Sequence, residues 1–166
     1  MTKERYERIA APLRRHPHAV NALQGINRAL TALCYFLYPL LLLWLYLEAD
    51  SRFWRCLLVP AAAFAAVSVF RAAYNAPRPY EQGIDALMKK KTMGHSFPSR
   101  HVFSAFIIAM AWWTVYPGIG AALLTVGALL AVIRVVGGVH YPRDVFAGAV
   151  AGIAAWWIGA WVFALF

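Results

Sequence analysis

The sequence predicts an all-α, polytopic membrane bundle of about five transmembrane helices, with an interfacial helix at the N-terminus. Three observations predict it. Hydrophobic residues make up 62% of the 166-residue chain and charged residues only 14%, where a soluble domain is about a quarter charged. The apolar residues come in long blocks instead of lining one face of amphipathic elements. The few polar clusters sit where those blocks end. The length suits one main domain, here a transmembrane domain over residues 28–166 preceded by an interfacial amphipathic segment over residues 1–27.

The elements follow in order. Residues 1–27 alternate basic and apolar residues, with Tyr6, Ile9 and Leu13 at helical spacing and Pro12 and Pro17 interrupting the pattern. This composition suits a segment lying on the headgroups with its arginines facing phosphate. Its charge, and the length of the apolar run behind it, do not match a cleavable signal peptide. Residues 29–47 carry no charge and are rich in leucine and aromatics, which predicts the first span. The second is expected over residues 53–74, with Arg55 near its start and Arg71 near its end. Residues 75–98 form the one long polar connection, and its Lys89-Lys90-Lys91 run is expected to face headgroups. Residues 102–133 are again uncharged, too long for a single crossing of about 30 Å at about 1.5 Å per residue. Pro117-Gly118 is the natural break, which predicts a hairpin of residues 100–116 and 118–136. The last span starts at Pro142, a suitable first helical residue, and runs to Phe166. Its small residues Ala147, Gly148, Ala149, Ala151 and Gly152 suit close helix packing.

The net charge of +9 comes without any nucleic-acid recognition motif, so the bilayer, with its anionic headgroups, is the expected partner and nucleic acid is not. Cys34 and Cys56 lie in apolar runs without metal-ligand spacing and read as small buried hydrophobes. The Trp112-Trp113 and Trp156-Trp157 pairs read as packing or lipid-facing residues. His16, His18 and His95 fit no motif and are expected in loops.

Ionisable groups at membrane depth are costly, so those present point to function. Three stretches hold them: Arg71 with Arg78-Pro79, then Pro98-Ser99-Arg100-His101, then Arg134 with His140 and Asp144. With five alternating spans all of them reach the same side of the membrane. Arg71, Arg78 and Arg134 offer planar, forked donors suited to a multiply charged oxyanion. Ser99 is placed as a helix N-cap, where free backbone amides add to an anion site, and His101 stands in that first turn. Two imidazoles then have two jobs, attack on phosphorus and protonation of the leaving oxygen. His140 is the better nucleophile, because Asp144 four residues on can take the proton of the far ring nitrogen and fix the tautomer. His101 is left as the acid.

This arrangement resembles the type 2 phosphatidic acid phosphatase family, which also includes the vanadium haloperoxidases. That family's signature is Lys-x6-Arg-Pro, Pro-Ser-Gly-His and Ser-Arg-x5-His-x3-Asp; here Arg71-x6-Arg78-Pro79, Pro98-Ser99-Arg100-His101 and Ile133-Arg134-x5-His140-x3-Asp144 stand in the same order. The resemblance implies an integral-membrane lipid phosphatase acting through a phosphohistidine. Its substrate would be an isoprenoid pyrophosphate such as undecaprenyl pyrophosphate, or phosphatidylglycerophosphate or phosphatidate. It assigns phosphate binding to Arg71, Arg78, Ser99, Arg100 (through its amide) and Arg134. His101 becomes the general acid, His140 the nucleophile and Asp144 its orienting group. It implies no metal and no cofactor. Arg71 in place of lysine keeps the charge, and Ile133 in place of serine removes a hydroxyl. Arg100 in place of glycine sets a bulky cation beside the site, able to grip a second phosphate.

A non-catalytic lipid-phosphate-binding protein would be marked by loss of a histidine or of Asp144, and all three are present. A lipid phosphotransferase is the further alternative. A transporter would show inverted repeats or broken spans, and neither is visible. The sequence is silent on oligomeric state. Charge distribution and family resemblance point to opposite sides of the membrane. Every lysine and arginine except Arg52 and Arg55 falls on the side of the polar clusters, which by the positive-inside tendency faces the cytoplasm. The family resemblance implies an extracytoplasmic site.

Overall fold

A computed structural model describes residues 1–88 and 92–165, with the side chain of Pro17 left out. The Lys89-Lys90-Lys91 run, with the headgroup-facing role expected for it, and Phe166 lie outside the described residues. The elements are α1 (Lys3–Arg14), α2 (Pro17–Leu47), α3 (Arg52–Tyr74), a 3₁₀ turn (Pro79–Gln82), α4 (Arg100–Val115), α5 (Pro117–Val136) and α6 (Pro142–Phe163). The hairpin breaks at Pro117 and the last helix starts at Pro142, as their fixed φ and missing N–H favour.

Two details of the N-terminal stretch differ from the expected pattern. Pro12 lies inside α1, in its last turn, where losing one backbone hydrogen bond costs an already fraying end little. The break comes at residues 15–16, because His16 precedes Pro17 and is pushed into extended backbone, φ −123° and ψ 92°. The next helix, α2, then runs through residues 27 and 28 without interruption. Polarity changes there, but nothing in the backbone chemistry does, so the shift from headgroup to hydrocarbon composition leaves no break.

The chain is a polytopic membrane bundle. Helices α2, α3, α5 and α6 are long and apolar enough to cross a bilayer, while α4, with 16 residues, is shorter. At about 1.5 Å per residue α4 is on the order of 24 Å long, less than the hydrocarbon core. It tolerates this because it is the central helix, packed against α2, α3, α5 and α6 and buried along most of its length from Val102 to Trp112. Small residues let α6 run beside it. A Cβ on Gly148 would sit 2.6 Å from the Ser99 carbonyl oxygen, and one on Gly152 would sit 2.7 Å from that of Phe103. The register shows that α4 and α6 run parallel, with both N-termini at the same end.

Around α4 the core gathers Leu41, Leu45, Phe103, Ile107, Leu130 and Trp156. Cys34 and Cys56 are buried in the same cluster as free thiols. Trp112 and Trp156 are buried while Trp113 and Trp157 point outward, so each pair divides between packing and the surface. Helix α1 docks beneath the end where α5 finishes. Tyr6, fully buried, donates to the Val136 carbonyl at 3.2 Å and accepts from the Leu87 amide at 3.0 Å. Arg14 joins Glu7 at 2.6 Å and Asp85 at 3.3 Å. At the opposite end Arg52 ties the α2–α3 turn to the α4–α5 turn, pairing with Asp50 at 2.6 Å and donating to the Thr114 carbonyl at 3.0 Å.

Candidate active site

The site lies where α3 and α5 end and α4 and α6 begin, and the connection between α3 and α4 folds over it. Asn75 ends α3 in the left-handed region, φ 40°, which asparagine tolerates better than most residues. Its Oδ1 accepts from the His95 amide at 3.2 Å. Gly94 is also left-handed, φ 62°, and a Cβ there would fall 2.2 Å from that same oxygen, so glycine is required twice over. Glu81 accepts from the Arg78 and Gly94 amides, each at 2.8 Å, and the Ser96 amide reaches the Ala76 carbonyl at 2.9 Å. These bonds lay residues 92–98 across the end of α3.

The buried arginines hold this cover in place. Arg71 donates to the carbonyls of His95, Ser96 and Pro98. Arg78 donates to Gly94 at 2.8 Å and to Val139 at 3.5 Å, which reaches the residue beside His140. His95 Nδ1 lies 2.8 Å from the Arg71 carbonyl. Arg71, Arg78, His95, Thr92, Arg100 and Ser68 line a cavity of about 380 Å³, with no carboxylate in its wall among the described residues.

Beneath the cover stands the imidazole–carboxylate pair. The turn after α5 places His140, whose amide reaches back to the Arg134 carbonyl at 3.3 Å. His140 and Asp144 are buried, with Nδ1 3.6 Å from Oδ2. Ser96 Oγ donates to that Oδ2 at 2.5 Å and lies 3.4 Å from Nδ1, while the Tyr141 amide donates to Oδ2 at 2.9 Å. Arg143 Nε stands 3.5 Å from the other carboxylate oxygen. With Nδ1 turned to the carboxylate, Nε2 carries the lone pair available for chemistry.

Burial, aided by the charges of Arg78 and Arg134 and opposed by Asp144, pushes the His140 imidazole down to about 4. It is therefore neutral at pH 7. Since its folded pKa lies below the unfolded value of roughly 6.5, the unfolded chain binds the proton first as pH falls. This group's contribution to stability is therefore complete above about 6.5 and is lost as pH drops towards 4. The nitrogen NMR shifts of His140 are expected to stay those of a neutral ring at pH 5. An imidazolium signature at pH 6 would contradict the assignment.

Arg134 is 1% exposed, and its Nε and Nη1 have no hydrogen-bond partner among the described residues. Ser99 Oγ is likewise buried without a partner, although the Ser99 amide donates to the Asp144 carbonyl at 2.8 Å and so ties the starts of α4 and α6 together. Ser99 holds the N-cap position without a side-chain capping bond, which leaves its hydroxyl uncommitted. Buried unpaired donors of this kind are costly unless an anion meets them.

Hydrogen bonds thus link Arg71, Arg78, Ser99, Arg134, His140 and Asp144 at one end of the bundle. Arg100 and a half-buried His101 stand beside them in the first turn of α4. Sequence reasoning missed three contributors: Ser96, Glu81 and His95, the last of which is in a loop as expected but also lines the cavity. Only Glu81 left a signal, an acidic residue two after Pro79, where proline opens the turn and glutamate closes back on the Arg78 amide. Ser96→Ala removes the hydroxyl that steadies Asp144 and is expected to lower kcat about 10–100-fold, as losing an orienting partner typically does, while Ser96→Thr retains most of it.

The family model described as the PAP2 superfamily matches residues 52–165. Among solved structures, the fold is similar to Aquifex aeolicus LpxE, with 27% identity and a TM-score of 0.73 over 95% of this chain and 93% of that one. It is also similar to the first transmembrane PAP2 type phosphatidylglycerolphosphate phosphatase from Bacillus subtilis, with 19% identity and a TM-score of 0.68 over 95% of this chain and 84% of that one; this second likeness bears on the fold alone. No curated protein sequence matches the chain.

Proposed function

The chain belongs to the PAP2 superfamily, and from that premise we propose that it is an integral-membrane lipid phosphatase that works through a phosphohistidine. One observation carries the reading: a neutral, buried imidazole held by a carboxylate stands in the turn after α5, its amide bonded to the carbonyl of Arg134, a buried guanidinium with unused donors. A phosphoryl group seated there meets those donors, and the charge that spreads over its oxygens in the transition state is stabilised by fixed cations.

In the first step His140 Nε2 attacks phosphorus. The bond from phosphorus to the leaving oxygen breaks, and that oxygen takes a proton from His101. In the second step His101 accepts a proton from water, the water oxygen attacks phosphorus, and the phosphorus–nitrogen bond breaks, returning its electron pair to His140. Inorganic phosphate leaves. Arg71, Arg78 and Arg134, with the hydroxyl of Ser99 and the amide of Arg100, hold the equatorial oxygens throughout. Asp144 keeps the tautomer and balances the imidazolium. The site sits at the ends of the spans, at headgroup depth, so a lipid phosphate reaches it from the bilayer. Residues 1–27 form an interfacial segment leading into the phosphatase domain of residues 28–166.

The substrate is a lipid phosphate or pyrophosphate, and the phosphatidylglycerolphosphate phosphatase of Bacillus subtilis makes that lipid one member of a first panel. Purified protein is expected to release phosphate from at least one of phosphatidate, phosphatidylglycerophosphate and undecaprenyl pyrophosphate. Chelator is expected to leave the rate unchanged, because guanidinium groups supply the positive charge, and vanadate is expected to inhibit. Binding of these lipids with no phosphate released would favour the non-catalytic alternative. A thiol label on Met93→Cys, 69% exposed beside the cavity, reports the side. An extracytoplasmic site is labelled in intact cells, and a cytoplasmic one only in inverted vesicles.

A further inference from the structure

Arg100 differs from the other cations of the site. It is exposed, it lines the cavity shared with Arg71 and Arg78, and none of the ion pairs among the described residues involves it. Arg71 and Arg78 spend donors on loop carbonyls, whereas the Arg100 guanidinium lies over the Phe64 ring, 5.4 Å from its centroid. A guanidinium stacked in this way keeps its in-plane fork free for a phosphate.

Phe64 also marks a boundary. With Tyr35, Tyr38, Leu57 and Ile107 it lines an apolar groove of about 300 Å³ between α2, α3 and α4. Residues four apart on a helix share a face. On α3 the step from Phe64 to Ser68 leads from the groove into the polar cavity, and on α4 the step from Ser104 to Arg100 does the same. Arg100 therefore stands at the junction of an apolar slot and a cationic chamber. The chamber is tied to His140 through Arg78, which lines it and donates to the carbonyl of Val139, the residue before His140. Its like charges repel one another until an anion joins them.

We infer that Arg100, seated on Phe64, is a subsite for a second anionic group of the substrate, lying between the phosphorus attacked by His140 and a hydrocarbon chain in the groove. This rests on the lipid-phosphatase reading and narrows its substrate class to lipids with two phosphates in series. Either a diphosphate or a phosphodiester followed by a terminal monoester supplies that chemistry. Phe64 is a positioning residue, because it acts through Arg100.

The test measures kcat/KM in mixed micelles for two pairs of lipids, farnesyl diphosphate against farnesyl phosphate and phosphatidylglycerophosphate against phosphatidate. In Arg100→Gln and Arg100→Gly the preference for the two-phosphate lipid is expected to fall about tenfold, the scale of a charge-assisted hydrogen bond, with partial recovery in Arg100→Lys. Phe64→Leu is expected to lower the same preference severalfold through KM with kcat held, and Phe64→Trp to preserve it. A fall in the farnesyl pair identifies the diphosphate as the source, and a fall in the glycerolipid pair identifies the phosphodiester. An unchanged ratio in both pairs overturns the assignment, including the case where both members of a pair slow equally. Absence of turnover by the wild-type protein would instead defeat the phosphatase reading. Arg100 is then read by binding of uncleavable farnesyl methylenediphosphonate against farnesyl phosphonate, where an Arg100→Gln preference equal to the wild type again overturns it.

Discussion

His140→Ala is expected to lower phosphate release by about 10⁶-fold, the scale seen when the nucleophile of a covalent mechanism is removed. The protein should still elute as a folded, monodisperse species. In the proposed mechanism His140 carries the attacking nitrogen, and the buried carboxylate of Asp144 stands 3.6 Å from its Nδ1. Its burial also means that the truncation leaves a small cavity. A loss of about 1–3 kcal/mol of stability is therefore expected, within what a membrane bundle tolerates. Free imidazole, able to enter that cavity, is expected to restore part of the rate. A variant that keeps turnover within tenfold of the wild type would remove His140 from the chemistry.

Arg134→Met is expected to separate function from stability. The wild-type protein holds a guanidinium that is 1% exposed and leaves two of its nitrogens unpaired among the described residues. Replacing such a group by an apolar side chain of similar length is often neutral or stabilising by about 1–4 kcal/mol. Activity should move the other way, falling about 10³-fold, because a preorganised donor to the developing charge is gone. Denaturation in detergent is expected to give a midpoint equal to or above that of the wild type. Added vanadate is expected to raise the wild-type midpoint and leave that of the variant unmoved, since only the former binds an anion there. Loss of stability in Arg134→Met would instead show that the guanidinium serves the fold.

The helices were legible in the sequence because their determinants are local. Pro117 and Pro142 start helices wherever they stand after a turn, and uncharged runs such as residues 29–47 fit only hydrocarbon. The glycines of α6 announced close packing, though not that α4 was the partner. The break before α2 was less legible, since Pro12 and Pro17 look alike in sequence and only Pro17 stands where a helix begins. Arg71, Arg78, Ser99, Arg134, His140 and Asp144 could be picked out because their spacing puts them at successive helix ends on one side. The cover over them could not. Its path depends on Asn75 and Gly94 in left-handed backbone, on Glu81 bridging two amides, and on Arg71 gathering three carbonyls. Apart from the local bond between the Arg78 amide and Glu81, the bonds that set this path join residues distant in the chain and follow no sequence period, so Ser96 and His95 reached the site unannounced.

In the proposed mechanism, with the His140 Nδ1 turned to Asp144, phosphorus is attacked twice in line, first by nitrogen and then by water. The stereochemical course at phosphorus reads this directly. A lipid thiophosphate made chiral with oxygen-18 and hydrolysed in oxygen-17 water is expected to yield thiophosphate with retained configuration, the sum of two inversions. Net inversion would mean that water attacks the lipid phosphate in a single step, and it would contradict the phosphohistidine.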